Sequence, residues 1–259
     1  MRERRRNGPA PTADSVLADL RSKGSASHRA HAARVGISAA ESFGVSTAEV
    51  RRLARVIGRD HPLALDLWAA SAHEARLLAV LIADPGQMDA RSLDAWLGDI
   101  GSWDLCDHFC TVLACTSPKP EALVFRWAAD ARLYVRRAAL ATVACLAVHR
   151  DDLDPDTFAR FLATIRRLAD DDRPHVRKAA SWALRELGKR DFQSHDLVVG
   201  CAADMLADGS STARWVAKDA LRELQTLVAV PQRRRLLTSK SKMGAVSQPR
   251  RRQVPEVSS

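Results

Sequence analysis

Tyr134-Val135-Arg136-Arg137-Ala138-Ala139-Leu140 returns as His175-Val176-Arg177-Lys178-Ala179-Ala180-Ser181. It returns again as Trp215-Val216-Ala217-Lys218-Asp219-Ala220-Leu221. The three valines fall 41 and then 40 residues apart, and each copy follows a loop rich in Asp or Ser: Asp130, then Asp170-Asp171-Asp172, then Ser210-Ser211. A period of about 40 residues in helical sequence is the pattern of stacked helix pairs. The repeat is degenerate, because Ala183-Leu184-Arg185-Glu186-Leu187 matches Ala220-Leu221-Arg222-Glu223-Leu224 at a shift of 37.

A helix pair cannot bury its apolar face alone, so neighbours stack. The expected fold is therefore all-α, a HEAT-like helical-repeat solenoid (an α-α superhelix) with a concave basic groove lined by the second helix of each pair. Composition agrees: Ala, Leu, Arg and Val dominate, Gly numbers 12 and Tyr 1, and β-branched alternation is absent throughout. No apolar run approaches the roughly 18 residues of a membrane span. No apolar signal-peptide core follows the N-terminal arginines, and the expected compartment is the cytoplasm.

The formal charge is +9, of which residues 1–12 carry +3 and residues 232–259 carry +7, leaving −1 for residues 13–231. The expected organisation is a basic, disordered N-terminal arm at 1–12, a helical-repeat domain at 13–231 and a basic, disordered C-terminal tail at 232–259. With a nearly neutral core, an anion can bind only where charge is segregated by face. Arg214, Lys218 and Arg222 fall at i, i+4 and i+8, which makes one basic stripe. Arg173 with Arg177 makes a second, and Arg185 with Lys189 a third. Each stripe has two readings, a solvated face with helix ion pairs or a phosphate contact.

In the first half, Ser46-Thr47-Ala48-Glu49 has the capping-box pattern before a helix at 50–59. An apolar helix at 71–83 stops at Asp84-Pro85-Gly86. Gly101-Ser102-Trp103-Asp104-Leu105-Cys106-Asp107-His108-Phe109 opens a helix that puts Trp103 and Asp107 on one face. Trp103 is core or a ligand contact, and Asp107 is a solvated residue or a working carboxylate, with Asp104 its rival. The 5 Cys form no CxxC pair and read as buried thiols. Cys106 and Cys110 share the Trp103 face in this reading, with His108 pointing away, so no metal is expected.

Phe43-Gly44-Val45-Ser46, His73-Glu74-Ala75-Arg76, Ser102-Trp103-Asp104-Leu105-Cys106-Asp107 and Val176-Arg177-Lys178-Ala179-Ala180-Ser181-Trp182-Ala183-Leu184-Arg185-Glu186 occur in that order. In this the chain resembles the DNA alkylation repair family, the AlkD-like HEAT-repeat alkylpurine DNA glycosylases, over about residues 14 to 228. The resemblance implies an enzyme that removes cationic N3- and N7-alkylated purines from duplex DNA, with no metal or cofactor and without flipping the base. It places the catalytic aspartate on Asp107, aromatic contacts on Trp103, Trp182 and Tyr134 (where a Trp is expected) and a backbone-binding arginine on Arg137. The expected phosphate contacts are Arg177, Arg214 and Lys218 of the basic stripes, with Lys178 of the repeated run beside Arg177.

An N3- or N7-alkylated purine is already a good leaving group, so the demands on the protein are to stabilise an oxocarbenium-like sugar and to place a water. One carboxylate beside the sugar meets both. The leading expectation is thus a monofunctional glycosylase acting as a monomer on double-stranded DNA. The alternatives are a non-catalytic protein that binds branched or distorted DNA and a protein-interaction scaffold. No P-loop, clustered metal carboxylates or Gly-rich turn with a nucleophilic Lys is present.

Overall fold

The structure, a computed structural model, describes residues 11–38 and 42–246. It is built almost wholly of α-helices and divides into two compact units, Met1–Pro120 and Glu121–Ser259.

The first unit holds α1 (Ala13–Ser22), α2 (Ala26–Arg34), α3 (Thr47–Ile57), α4 (His61–Ala69), α5 (His73–Ile82), α6 (Ala90–Gly98) and α7 (Trp103–Val112). Side chains start most of them: Thr12, Ser25, Ser46, Asp60 and Asp89 each accept a first-turn N–H. Such a cap satisfies a donor that the helix itself cannot pair. The capping box expected at Ser46 is half formed. Ser46 accepts from Glu49 N, but the Glu49 carboxylate turns to the Arg52 guanidinium at 2.7 and 2.9 Å.

Helix α5 is the centre of this unit. Leu77, Leu78, Ala79, Val80 and Ile82 are all buried, and α5 packs against α1, α3, α4 and α7. A helix apolar on nearly every side needs neighbours on nearly every side. Beside it the Trp68 and Trp96 rings stack at 4.0 Å. Trp68 Nε1 donates to Asp99 Oδ2 at 3.0 Å, and Arg76 donates to the Asp99 carbonyl. The apolar helix expected at 71–83 begins two residues late, because Ser71 takes a positive φ of 60° that ends the preceding turn.

One polar residue lies inside this apolar centre. Glu74 is 2% exposed. Its Oε1 accepts from Ser42 Oγ at 2.7 Å, Gly44 N at 2.8 Å and Val45 N at 3.1 Å, while Oε2 accepts from Phe43 N at 2.8 Å. Burial pushes this carboxyl up, but the Ser42 hydroxyl and the Phe43 and Val45 N–H groups outweigh that and hold it below the usual carboxylate range. Gly44 makes the turn possible. Its φ is 80°, and a Cβ there would meet the Ser25 carbonyl oxygen at 2.4 Å.

The second unit holds α8 (Pro120–Ala128), α9 (Leu133–His149), α10 (Pro155–Leu168), α11 (Pro174–Gly188), α12 (Phe192–Asp208) and α13 (Ser211–Leu224). Helices α9, α11 and α13 pack side by side in one layer, with α10 and α12 against α11 and each other. The repeated valines Val135, Val176 and Val216 are all buried, so each repeat spends the same position on the core. Polar side chains bridge successive repeats. Arg136 Nη1 reaches Asp171 Oδ2 at 2.9 Å, Ser181 Oγ donates to Asp219 Oδ2 at 2.7 Å, and Arg185 pairs with Glu223 at 3.2 Å. Asp171, held by the hydrogen bond from Arg173 and then by Arg136, titrates at about 2.

These bridges consume much of the expected basic stripes. Arg185 and Lys189 pair with Glu223, Lys189 also with Glu186, Arg173 with Asp171, and Arg222 with Asp219. Those four residues follow the solvated ion-pair reading. Cys106, Cys110 and Cys145 are buried. Among the described residues no helix is long and apolar enough to cross a membrane.

Where the sequence reading gives no strand and starts a disordered tail at residue 232, the structure differs. Strand β1 (Leu227–Val228) pairs antiparallel with β2 (Leu237–Thr238). Arg235 lies against α11, donating to the Glu186 carbonyl at 2.9 Å, to Glu186 Oε2 at 2.7 Å and to the Ala147 carbonyl. Leu236 is buried and its N–H donates to the Lys189 carbonyl at 2.8 Å. The basic residues that suggest a solvated tail are here partly used as anchors. Thr12, at the end of the expected arm, caps α1. Residues 1–10 and 247–259 of the expected arm and tail lie outside the described residues.

Two outcomes follow for stability. Glu74→Gln keeps one acceptor oxygen but turns an amide N–H toward Phe43 N–H, and it is expected to cost about 3 kcal/mol in a urea melt. The wild-type carboxyl is depressed in the fold, so its contribution is present above the unfolded value of about 4.3 and is lost as pH falls through the folded value. The difference between wild type and Glu74→Gln must therefore shrink in acid; a constant difference down to pH 2 contradicts the hydrogen-bond account. Arg235→Ala is expected to cost about 2 kcal/mol and to expose residues 225–246 to limited proteolysis, read by mass spectrometry of the first cleavage products.

Candidate active site

Helix α7 carries the candidate site residues of the first unit, Trp103 and Asp107. At 100° per residue, Trp103, Asp104, Asp107 and His108 span about 140° of its circumference. Cys106 and Cys110 fall about 60° and 20° from Trp103 on this wheel, on its core flank with Phe109, and all three are fully buried. His108 falls about 140° from Trp103, as the expectation has it. Trp103 and His108 nonetheless line one cavity, at the two edges of the exposed arc.

The α7 face meets α2, the start of α3 and the start of α5 around an open cavity of about 390 Å³. Trp103, Asp104, Asp107 and His108 line it from α7, His73, Glu74 and Leu77 from α5, and His28 and His31 from α2. Among the described residues the lining holds three carboxylates and four imidazoles, and no Lys or Arg. The turn pinned by Glu74 forms one wall through Ser42, Gly44 and Val45. The knot inside the fold therefore fixes the shape of the cavity.

Each polar group on α7 has a defined setting. Trp103 is half-buried, and its Nε1 donates to the Val35 carbonyl at 2.9 Å, which ties the indole to the end of α2. Asp104 Oδ2 holds His73 Nε2 at 3.0 Å. Burial pushes the Asp104 carboxyl up, but the His73 hydrogen bond and charge prevail and hold it below the usual range. Of the two rival aspartates, Asp104 is thus engaged with a fixed imidazole. Asp107, one turn after Trp103, is half-buried and lines the same cavity. His108 Nδ1 lies 2.8 Å from the Asp104 carbonyl oxygen and its Nε2 lies 2.9 Å from Arg51 Nη2 of α3. Among the described residues no three His, Cys, Asp or Glu side chains converge as metal ligands.

The other expected site residues lie in the second unit. Tyr134 and His175, at matching repeat positions, have ring centroids 5.9 Å apart. Arg137 is buried and donates to the His175 carbonyl at 2.7 Å, so its guanidinium is engaged within the fold. Arg177 lies 4.6 Å from the Trp215 ring. It takes the repeat position of Arg136, whose carboxylate partner Asp171 has no acidic counterpart at Ser211. Trp182 is half-buried, whereas Lys178, Arg214 and Lys218 are exposed. The structure thus brings Trp103 and Asp107 together and places Tyr134, Arg137, Arg177, Lys178, Trp182, Arg214 and Lys218 on α9, α11 and α13.

The sequence reading missed Arg51, His28, His31 and His73 and the bond pattern of Glu74. His73-Glu74 was visible only as a motif, and nothing local signals that its carboxylate faces residues 42–45.

No protein of curated function matches the chain. One solved structure is described as a new family of proteins related to the HEAT-like repeat DNA glycosylases with affinity for branched DNA structures. It aligns with a TM-score of 0.70 at 19% identity, covering 82% of this chain and 95% of that one. The likeness establishes the fold as an all-α, HEAT-like helical repeat. The profile of the DNA alkylation repair enzyme family matches residues 16–224. With that span covered and the repeat fold in place, the chain belongs to the DNA alkylation repair enzyme family.

Proposed function

We propose that this protein is a monofunctional DNA glycosylase that hydrolyses the N-glycosidic bond of cationic N3- or N7-alkylated purines in duplex DNA, acting as a single chain without extruding the base. The observation that carries this reading is the cavity lining: among the described residues, an indole and three carboxylates with no Lys or Arg. Fixed cations there would repel both a cationic lesion and a sugar gaining positive charge. An aromatic face and carboxylates favour both.

Asp107 is the catalytic residue in this scheme. As the C1′–N bond lengthens, its electron pair passes to the alkylpurine, which leaves as a neutral base. The Asp107 carboxylate stabilises the positive charge left on the sugar and orients a water. Water oxygen then bonds to C1′, and its proton passes to Asp107 and on to solvent. Trp103 packs against the lesion-bearing nucleotide, and Trp182 and Tyr134 are the proposed aromatic contacts to DNA in the second unit. Lys178, Arg214 and Lys218 supply exposed positive charge for phosphates, with Arg177 beside them. Arg137 fits this set only if it leaves the His175 carbonyl.

That engagement of Arg137 favours a second reading, a protein that binds branched DNA without cleaving the glycosidic bond. The neighbouring structure's description points the same way.

Chromatography of bases released from methylated duplex DNA separates the two. The expected outcome is release of N3-methyladenine or N7-methylguanine by the wild type with no strand nicking. Asp107→Asn should slow it about 100-fold while leaving duplex affinity unchanged. Equal release by Asp107→Asn removes Asp107 from the mechanism. No release by the wild type, together with tight binding to a four-way junction, leaves the second reading.

A further inference from the structure

The contact between Arg51 and His108 has only one chemically consistent proton arrangement. A guanidinium donates and never accepts, so at 2.9 Å His108 Nε2 must be the acceptor. A carbonyl oxygen only accepts, so at 2.8 Å His108 Nδ1 must carry the hydrogen. His108 is therefore the neutral Nδ1–H tautomer. A second proton on Nε2 would set two N–H groups and two positive charges against each other. The titratable groups around this ring are Asp104 and Asp107 on α7, His73 and Glu74 on α5, and His28 and His31 on α2.

The consequence lies with Arg51. Its neighbour Arg52 is paired with the Glu49 carboxylate. Arg51 is exposed and holds a neutral imidazole instead, so its full charge is retained. One of its five N–H groups is used, and among the described residues its guanidinium has no other hydrogen-bond partner. His108 directly follows Asp107, which ties this cation to the same turn of α7 as the carboxylate, yet outside the cavity lining.

We propose that Arg51 is a phosphate-binding residue of the first unit's site, gripping a DNA phosphodiester beside the nucleotide whose sugar faces Asp107, and that His108 is the positioning residue that aims it. The inference rests on the glycosylase reading for the location of the sugar. It divides the site into a cation-accepting cavity and a cationic rim. The guanidinium offers two parallel N–H groups to a phosphate while His108 holds a third. Neither Lys nor an arginine paired with a carboxylate could do this without losing aim or charge.

The test measures binding of short unmodified and methylated duplexes across a salt series, with melting temperature read in parallel. Arg51→Gln should weaken binding about 10-fold at low salt and reduce the slope of log K against log salt by about 1. Arg51→Lys should restore the slope but not the full affinity. His108→Phe should lower affinity with the slope kept, and His108→Gln, which retains an acceptor, should recover it. Arg52→Gln serves as the control for general surface charge. Unchanged binding in Arg51→Gln, an equal loss in Arg52→Gln, or a loss that merely follows a fall in melting temperature overturns the proposal. A wild type that releases no base while Arg51→Gln still flattens the salt slope sinks the glycosylase reading and leaves the phosphate contact standing.

Discussion

A carboxylate sealed in an apolar helix core is unstable unless donors surround it, and Glu74 is such a carboxylate. Its donors are the Ser42 hydroxyl and three successive backbone N–H groups from Phe43, Gly44 and Val45. A peptide segment can present consecutive N–H groups to one point only by curling around it, and the positive φ of Gly44 supplies the curl. The turn then fixes where α3 begins and how closely residues 42–45 approach α5. Those same residues wall the cavity that Trp103 and Asp107 line. This wall of the cavity thus depends on a buried charge.

The second unit solves a different problem with similar means. Its repeats are rich in arginine, and a stack of helices would gain repulsion if each guanidinium simply faced its copy in the next repeat. Instead each reaches an acceptor on its neighbour: Arg136 to Asp171, Arg137 to the His175 carbonyl, Arg173 to the Ala131 carbonyl, Arg185 to Glu223. Where the acid is missing at Ser211, Arg177 takes an aromatic face, Trp215, as its partner. Positive charge in this unit is therefore first a means of joining repeats. Of the expected phosphate contacts, Lys178, Arg214 and Lys218 keep exposed positive charge.

This explains which parts of the molecule were legible from sequence. The fold was legible because Val135, Val176 and Val216 return at one spacing and all go to the core; burial repeats when structure repeats. Trp103 and Asp107 were legible as a pair because helix geometry alone sets residues four apart on one face. The same geometry, read fully, places His108 about 40° from Asp104, so its part in the cavity was available and was overlooked. The fate of the arginines was not available. The cross-repeat partners of Arg136, Arg137, Arg173 and Arg185 lie 35 to 42 residues away, and a basic stripe looks identical on paper whether such a partner meets it or not; the Arg173–Asp171 and Arg222–Asp219 pairs are local. The C-terminal segment misled for a related reason. A run of arginines reads as solvated, yet Arg235 has a buried end because Glu186 and two carbonyl groups happen to face it.

The choice of imidazoles around the α7 cavity follows from the charge of what it is proposed to hold. Glu74, Asp104 and Asp107 need donors or balancing groups near them. Lys or Arg in the lining would supply these together with permanent positive charge, which would oppose a cationic purine and a developing oxocarbenium ion alike. Histidine supplies an N–H and can remain neutral near pH 7. His73 gives its N–H to Asp104, and His108, fixed as the neutral tautomer by a carbonyl on one side and Arg51 on the other, stands between the cavity and the Arg51 guanidinium. A nucleotide bearing a cationic base has the same polarity, positive at the base and sugar and negative at the phosphate. The site and such a ligand are therefore matched in the order of their charges, with Arg51 on the rim and Asp107, the proposed catalytic carboxylate, in the cavity lining.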